Sequence, residues 1–159
     1  VDHIPHHHHP GNSPGMVDGA SLALLATGEM AASLGLPVRA EIIGFSSKSA
    51  AAIEGLTGGY AAAKDVLERT GIAGEDIDLW EFNEGFAATA MNFAKQLDVP
   101  LDRYNVNGGG IAMGHAMGAT GVIILGMMID ELERRKKHTG LIAISGAAGA
   151  GAAMVVRIH

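Results

Sequence analysis

Cysteine is absent from the 159-residue sequence. Its absence excludes disulfide bonds and any zinc site built on thiolates within this chain. Long apolar runs are also lacking, since the stretch 122–129 falls far short of the roughly 20 residues that span a bilayer. No basic-then-apolar leader opens the chain, so we expect a cytoplasmic location and no association with a membrane.

Basic charge is scarce as well. The sequence holds 11 Lys and Arg against 17 Asp and Glu, which gives a formal net charge of -6. Because nucleic acid favours a clustered basic surface, this balance argues against a nucleic-acid partner. The dense basic run at 134–137 fits the C-terminus of a helix better, where cations offset the helix dipole.

Glycine is abundant, and the length suits one domain. The 23 glycines are about twice the usual ~7%. They cluster at turns without a repeat, which indicates tight loops and close backbone packing rather than collagen. Hydrophobic residues make up 48% and charged residues 18%, as in an ordinary soluble domain. A chain of this length forms one such domain with a real core.

Strand-like and helix-like segments alternate along the chain. Residues 1–15 hold three prolines and no apolar periodicity, so we interpret them as an irregular N-terminal segment and 16–159 as the domain. The pattern predicts helices at 29–34, 60–69, 84–97 and 116–136, strands at 38–46, 77–82, 104–107, 141–145 and 152–158, and a buried strand or helix at 19–27. This order predicts an α/β fold with a mixed, mainly parallel sheet covered by helices and an antiparallel final pair.

Polar residues follow predicted strands at three places, which is where open α/β sheets place their sites. Asn83 and Glu84 come directly after the strand 77–82. Taken alone, Asn83 is by default a helix cap, because its side-chain oxygen can accept from the free amides at a helix start. The alternative is a role in a site at the carboxyl end of the strand.

The second place is the segment 105–121, which contains six glycines and His115. Its glycines let the backbone approach a ligand or another helix closely. His115 is predicted at the start of a long helix, where free N–H groups suit an anion. A neutral imidazole there can take a proton from a nucleophile or donate to a developing oxyanion. A packing role at a Gly-rich corner is the alternative, and the spacing fits neither a P-loop nor a dinucleotide fingerprint.

The third place is the Gly-rich stretch 145–151, between the last two predicted strands. As a turn it needs no ligand, and no helix follows it as a nucleotide-binding loop would require. Separately, four histidines run from 6 to 9, but adjacent histidines do not project to one side as a helical pair four residues apart does. A tag remnant or an exposed loop explains that run at least as well, so no metal is predicted.

Together these segments resemble the thiolase family. The motif Asn-Glu-Gly-Phe at 83–86 is similar to the family's Asn-Glu-Ala-Phe. The segment 105–121 resembles its Asn-Val-Asn-Gly-Gly-Ala-Ile-Ala-Leu-Gly-His-Pro-Leu-Gly-Ala-Ser/Thr-Gly. Residues 11–19 resemble the Gly-Asn-Ser-Ser-Gly-Ile-x-Asp-Gly that leads into the C-terminal domain. The resemblance runs in order from about residue 11 to the end, and it implies the C-terminal half of the two-domain thiolase fold.

The resemblance implies an acyl-CoA enzyme that makes or cleaves a carbon–carbon bond next to a thioester. A similar N-terminal domain would supply a nucleophilic cysteine. His115 would activate that cysteine and help to hold the thioester oxygen, while Asn83 would position a water in a second oxyanion site. Asn12, Ser13, Gly114 and Gly149, which lie in matching motifs, would contact the substrate. Coenzyme A is then a substrate, and no cofactor is implied.

Two departures from the family pattern affect the chemistry. Matching the family's Cys-Ile-Gly-Gly-Gly-x-Gly to the end of the third segment puts Ser145 where the family has its acid/base cysteine. A thiol exchanges protons close to neutrality and an alcohol does not, so ordinary thiolase turnover should be greatly impaired. Pro14, which lacks a donor, aligns with a serine that contacts the pantetheine arm.

Several interpretations remain open at this stage. The chain is expected to be inactive alone and to act in an obligate complex with an N-terminal half, from another subunit or from a longer polypeptide of which this chain is a fragment. The first alternative is a lyase of retro-aldol type, or a condensing subunit, that uses His115 without a second cysteine. The second is a degenerate subunit kept for packing or CoA binding.

Overall fold

The computed structural model describes residues 7–159. The helices are α1 (Gly28–Ser33), α2 (Gly58–Thr70), α3 (Ala87–Gln96), α4 (Gly110–Met113) and α5 (Thr120–Arg135). The strands are β1 (Glu41–Ser49), β2 (Leu79–Phe82), β3 (Thr139–Ser145) and β4 (Ala150–Arg157). They form one sheet in the order β1-β4-β3-β2. The predicted α/β class is therefore confirmed.

The expectation of a mainly parallel sheet is wrong in its proportions. Only β2 and β3 pair in parallel, whereas β4 is antiparallel to both β3 and β1. The reason is that β4 returns from β3 through a short turn, which forces an antiparallel pair as predicted, and then inserts beside β1 in the middle of the sheet. A parallel pair needs a helical crossover, and the crossover through α3 and α5 joins β2 to β3.

Helices cover both faces of the sheet, as the sequence predicts. On β2, Trp80 and Phe82 point to the face covered by α2 and α3, where the rings of Phe82 and Phe93 stack with centroids 4.3 Å apart. Leu79 points to the opposite face and packs with Met128 of α5. This alternation is the period of two expected of a strand. Since β2 is buried on both faces, its carboxyl end is held firmly in place.

Helix α2 crosses β4 at very close range. A Cβ added to Gly151 would overlap the backbone of Gly58 and Gly59, and one added to Gly58 would overlap Gly149 and Ala150. Glycine at these positions lets two backbones touch without side chains between them. The helix then ends at Gly71 in the left-handed region, with φ of 69°, which confirms the predicted stop.

Three predicted elements differ from the structure. The segment 19–27 is neither a buried strand nor a helix, because it joins no strand in the described part of the chain and stays exposed throughout. The hydroxyl of Ser21 in this segment donates to the carbonyl of Ala119 at 2.9 Å. The segment 104–107 is not a full strand, because its backbone pairs with β2 only through an isolated parallel bridge from Tyr104 to Trp80. Beyond that bridge, the side-chain amide of Asn105 bonds to both the N–H and the C=O of Phe82 in place of a strand's backbone. The helix predicted at 116–136 begins only at Thr120, after a bent stretch in which Met117 has φ of 35°.

Within residues 7–159, none of the helices combines the length and the apolar character needed to cross a membrane.

Candidate active site

A cavity of about 150 Å³ lies where the loop after β2, helix α4 and the start of α5 meet residues 17–19. Its lining includes Asn83, Gly110, Gly114, Ala116 and Thr120 on one side and Val17 on the other. A volume of this size has room for several water molecules. The cavity therefore offers room for water or for part of a ligand.

Asn83 follows β2 and extends its pairing, because its N–H donates to the carbonyl of Ala143 at 3.0 Å. The residue is only 4% exposed, and its Oδ1 has no hydrogen-bond partner within residues 7–159. The capping interpretation is wrong, since α3 begins at Ala87 with Phe86 as its cap residue. Buried oxygens without partners are rare in folded proteins, so Asn83 presents a free acceptor at the cavity.

His115 lies in the bent stretch before α5 rather than in a helix. Its ring Nδ1 is 2.9 Å from Oγ1 of Thr120, the first residue of α5. Its backbone N–H donates to Gly15 at 2.8 Å, and its carbonyl accepts from Val17 at 3.4 Å. His115 is thus held by Gly15 and Val17 on one side and by α5 on the other. Its neighbours Gly114 and Ala116 both line the cavity.

Glu84 joins the two loops that carry Asn83 and His115. Its carboxylate accepts from the backbone N–H of Ile111 at 3.0 Å and from the amide of Asn105 at 3.3 Å. The same side chain packs so closely on Gly109 that a Cβ there would overlap it. A carboxylate at the first turn of α4 satisfies an amide that the helix itself leaves free. Glu84 therefore sets the position of α4 relative to Asn83.

Of the other predicted residues, Gly114 lines the cavity, whereas Ser145 and Gly149 do not. Ser145 Oγ accepts from the N–H of Gly59 at 2.9 Å, at the start of α2. Gly149 adopts φ of 82°, and its carbonyl accepts from Ala50 at 2.9 Å. The roles proposed for Ser145 and Gly149 stay predictions.

Asn12 and Ser13 also lie away from the cavity lining. The side chain of Asn12 bonds to the backbone of His7 and His9, and the hydroxyl of Ser13 donates to Asn12 Oδ1 at 3.2 Å. The Asn12 carbonyl accepts from Ala87 at the start of α3. Of the histidine run, His6 lies outside the described residues. In the part described, no three potential metal-binding side chains gather.

Glu81 is a buried carboxyl group on β2, two residues before Asn83. It is 4% exposed, and its Oε1 has no hydrogen-bond partner among the described residues. Burial, together with the nearby charge of Glu84, raises the pKa of Glu81 to about 8. Since an ionised carboxylate is costly to bury, Glu81 is largely protonated at neutral pH.

The comparison with known proteins decides the family. Residues 36–158 match the family described as Thiolase, C-terminal domain. The chain belongs to the thiolase family. The acetyl-CoA acetyltransferases of Thiocystis violacea and Chromobacterium violaceum are 39% and 40% identical to it over 147 residues. A crystal structure of the Bacillus anthracis acetyl-CoA acetyltransferase matches 94% of the thiolase domain with a TM-score of 0.89 and 35% identity.

The thiolase chain spans only part of the proteins that it resembles. The matches to the two curated relatives cover 92% of this chain but only 37% of each relative's length. The match to the Bacillus anthracis structure covers 38% of that protein's chain. The matched part corresponds to the C-terminal half expected from the motifs. The fold of a thiolase C-terminal domain and the membership of the thiolase family are therefore established.

Two residues to which the motifs assign no role shape this candidate site. Thr120 bonds to His115, and Glu84 anchors α4. Both lie inside the motifs that carry the resemblance. Glu84 follows Asn83 directly, and Thr120 lies five residues after His115. Their roles depend on which atoms meet after folding, and the spacing of residue types alone does not show this.

Proposed function

We propose that this chain is the C-terminal half of a thiolase-type acyltransferase that acts on acyl-CoA. The observation that carries the proposal is Asn83, which lines the cavity beside the His115 loop and whose buried Oδ1 lacks a partner within residues 7–159. Leaving a buried acceptor unpaired costs free energy, and a water or ligand in the cavity would remove that cost. Acyl-CoA and free coenzyme A are the substrates in this proposal, and no cofactor takes part.

Asn83 and His115 would stabilise the negative charge that develops on substrate oxygens. Asn83 Oδ1 would accept from a water, and that water would donate its other proton to one oxyanion. His115 would donate a ring N–H to the thioester oxygen. Fixed donors of this kind contribute most where bulk water is kept away from the reacting atoms.

The nucleophilic cysteine would come from an N-terminal half, either as a partner subunit or as another part of a longer chain. The relatives extend well beyond the part matched here, which is 37% of their length. In addition, Leu22, Leu24 and Leu25 are 95%, 78% and 70% exposed in the unpaired segment 19–27. Because a patch of this kind is stabilised when it is covered, we assign it to the contact with the missing half, in an obligate complex.

Ser145 favours a second candidate function. Its Oγ accepts from Gly59 at the N-terminus of the 13-residue helix α2. A thiol in that place would be favoured as thiolate by the helix dipole, but an alcohol is a far weaker acid. The second candidate is therefore a lyase of retro-aldol type, or a condensing subunit, that uses His115 without the acid/base thiol.

The test is reconstitution. The chain is co-expressed with the N-terminal region of the Thiocystis violacea relative, and the purified complex is given CoA with a 3-ketoacyl-CoA or a 3-hydroxyacyl-CoA. We expect slow cleavage of the 3-ketoacyl-CoA, which Ser145→Cys increases at least about tenfold, equivalent to ~1.4 kcal/mol of barrier. His115→Ala and Asn83→Ala should abolish it. The matched control is His138→Ala, which changes an exposed histidine away from the cavity.

The outcomes separate the candidates. Cleavage of the 3-hydroxyacyl-CoA alone supports the lyase and rejects thiolysis. If the complex forms but His115→Ala, Asn83→Ala and Ser145→Cys all leave its activity at the starting level, the half is not catalytic. If no complex forms, the assignment of the exposed segment to an N-terminal half is wrong.

A further inference from the structure

We infer that Thr120 selects the tautomer of His115, so that the ring proton sits on Nε2 and Nδ1 is the acceptor. The basis is the single contact between Nδ1 and Oγ1 of Thr120 at 2.9 Å. Either atom can be the donor in such a pair, depending on the tautomer of the ring. The surroundings of the Thr120 hydroxyl decide between the two arrangements.

The hydroxyl proton of Thr120 has one protein acceptor. Thr120 is 5% exposed, and its Oγ1 makes no hydrogen bond within residues 7–159 other than that to His115. Other threonines in helices, such as Thr70, donate to a carbonyl of the preceding turn, but Thr120 is the first residue of α5 and does not. Among the protein atoms of residues 7–159, Nδ1 is therefore the acceptor available to its proton.

The opposite tautomer leaves a buried donor unsatisfied. If Nδ1 carried the proton and donated to Oγ1, the hydroxyl proton would need a water in the cavity as its acceptor. Buried hydroxyl groups without partners are disfavoured. The arrangement in which Thr120 donates satisfies both atoms without any water, and it leaves Nε2 with the proton.

The geometry around the pair keeps it in place. The backbone of His115 is tied to Gly15 and Val17, and Thr120 is fixed at the start of a 16-residue helix. Neither residue needs to move for the bond to persist. The β-branched side chain of Thr120 has few rotamers open to it in a helix, which restricts the direction of its hydroxyl.

This inference deepens the proposed function and, in its catalytic part, rests on it. With the proton on Nε2, His115 is prepared to donate to a substrate oxygen and not to accept from the nucleophile in the resting state. Thr120 is then a positioning residue, since it acts through His115. A residue of this kind should affect kcat more than KM, because the donated bond strengthens as charge develops.

The test is ¹⁵N NMR of the full chain labelled at histidine, at a pH about two units above the ordinary imidazole pKa of ~6.5. His115 is assigned by the signals that vanish in His115→Gln. We expect an unprotonated Nδ1 and a protonated Nε2 in the wild type. Thr120→Val keeps the shape and removes the hydroxyl, so the tautomer preference should be lost. Thr120→Ser should restore it.

Three results would overturn the inference: a protonated Nδ1 in the wild type, an unchanged tautomer in Thr120→Val, or no restoration in Thr120→Ser. In the reconstituted complex, Thr120→Val should lower kcat about tenfold with little change in KM, as for the loss of one hydrogen bond. If the spectra are as expected and no variant of the complex turns over acyl-CoA, the proposed function fails while the tautomer assignment stands.

Discussion

Replacing Glu81 with Gln removes a buried ionisable group from the middle of β2. The side chain is 4% exposed, and its Oε1 meets no donor among the described residues. Burial and the charge of Glu84 raise the pKa of Glu81 to about 8, from an ordinary value of 4.5. The folded state therefore holds this proton far more tightly than the unfolded chain does, and folding stability becomes linked to pH.

The sign of the pH dependence of stability follows from the upward shift of the Glu81 pKa. Below pH 4.5 both states are protonated, and the contribution of Glu81 to stability is fully present. Between pH 4.5 and about 8 the unfolded chain loses the proton first, so stability falls as pH rises, and the loss is complete above about 8. At ~1.4 kcal/mol for each of about 3.5 pKa units, the loss is roughly 5 kcal/mol.

The assay is urea denaturation of the wild type and of Glu81→Gln from pH 5 to 9. The difference between their free energies of unfolding should change by several kcal/mol in favour of the variant as pH rises. Taking the difference removes the contributions of groups common to both proteins. The control is Glu68→Gln, an exposed glutamate of α2, which should follow the wild-type curve. A difference that stays constant across the range would refute the reasoning.

The remaining predictions concern packing, the site loops and the exposed segment. Gly151→Ala should lower the free energy of unfolding by more than about 3 kcal/mol, because the added Cβ would overlap the backbone of α2. Gly126→Ala is the control, since there is open space around Gly126, and this change should raise the free energy of unfolding by up to ~1 kcal/mol. Glu84→Ala should cost about 1–3 kcal/mol in urea denaturation through its two lost bonds, and Glu84→Gln should cost less. The double change Leu22→Ser with Leu24→Ser should reduce self-association in sedimentation velocity and alter stability by less than about 0.5 kcal/mol.

Each of these has an opposing result. Equal effects of the two glycine changes would mean that α2 can shift away from β4. A neutral Glu84→Ala would mean that α4 keeps its position without the carboxylate. If the serine double variant unfolds markedly more easily, the segment packs on the domain and is not free to bind an N-terminal half.

The fold was largely predictable because most of its elements are stabilised by neighbours that the local pattern already implies. β2 and β3 are short apolar runs, and α2 ends at a glycine that adopts the left-handed region. The segment 19–27 has an equally apolar pattern but joins no strand within residues 7–159, and its leucines stay exposed. Composition indicates that a segment is stabilised by burial, and it does not indicate which surface provides that burial.

The candidate site was predicted in its principal residues and not in its supports. Asn83 and His115 were identified from their motifs, and the structure brings their loops to one cavity. The motifs did not assign roles to the hydroxyl of Thr120 and the carboxylate of Glu84, because the contacts of these groups run between loops that meet only in the folded chain. The prediction of a helix at His115 failed because a bend with a positive φ at Met117 delays α5.

The position of β4 in the sheet has a consequence for how the protein is made. β4 follows β1 and β3 along the chain, yet it lies between them in the sheet and pairs with both. Until it emerges, β1 has no strand to pair with and waits through about a hundred residues of synthesis, which makes the sheet slow to form. A chain that stops before residue 150 therefore lacks the middle of the sheet, and it should be recognised as unfolded.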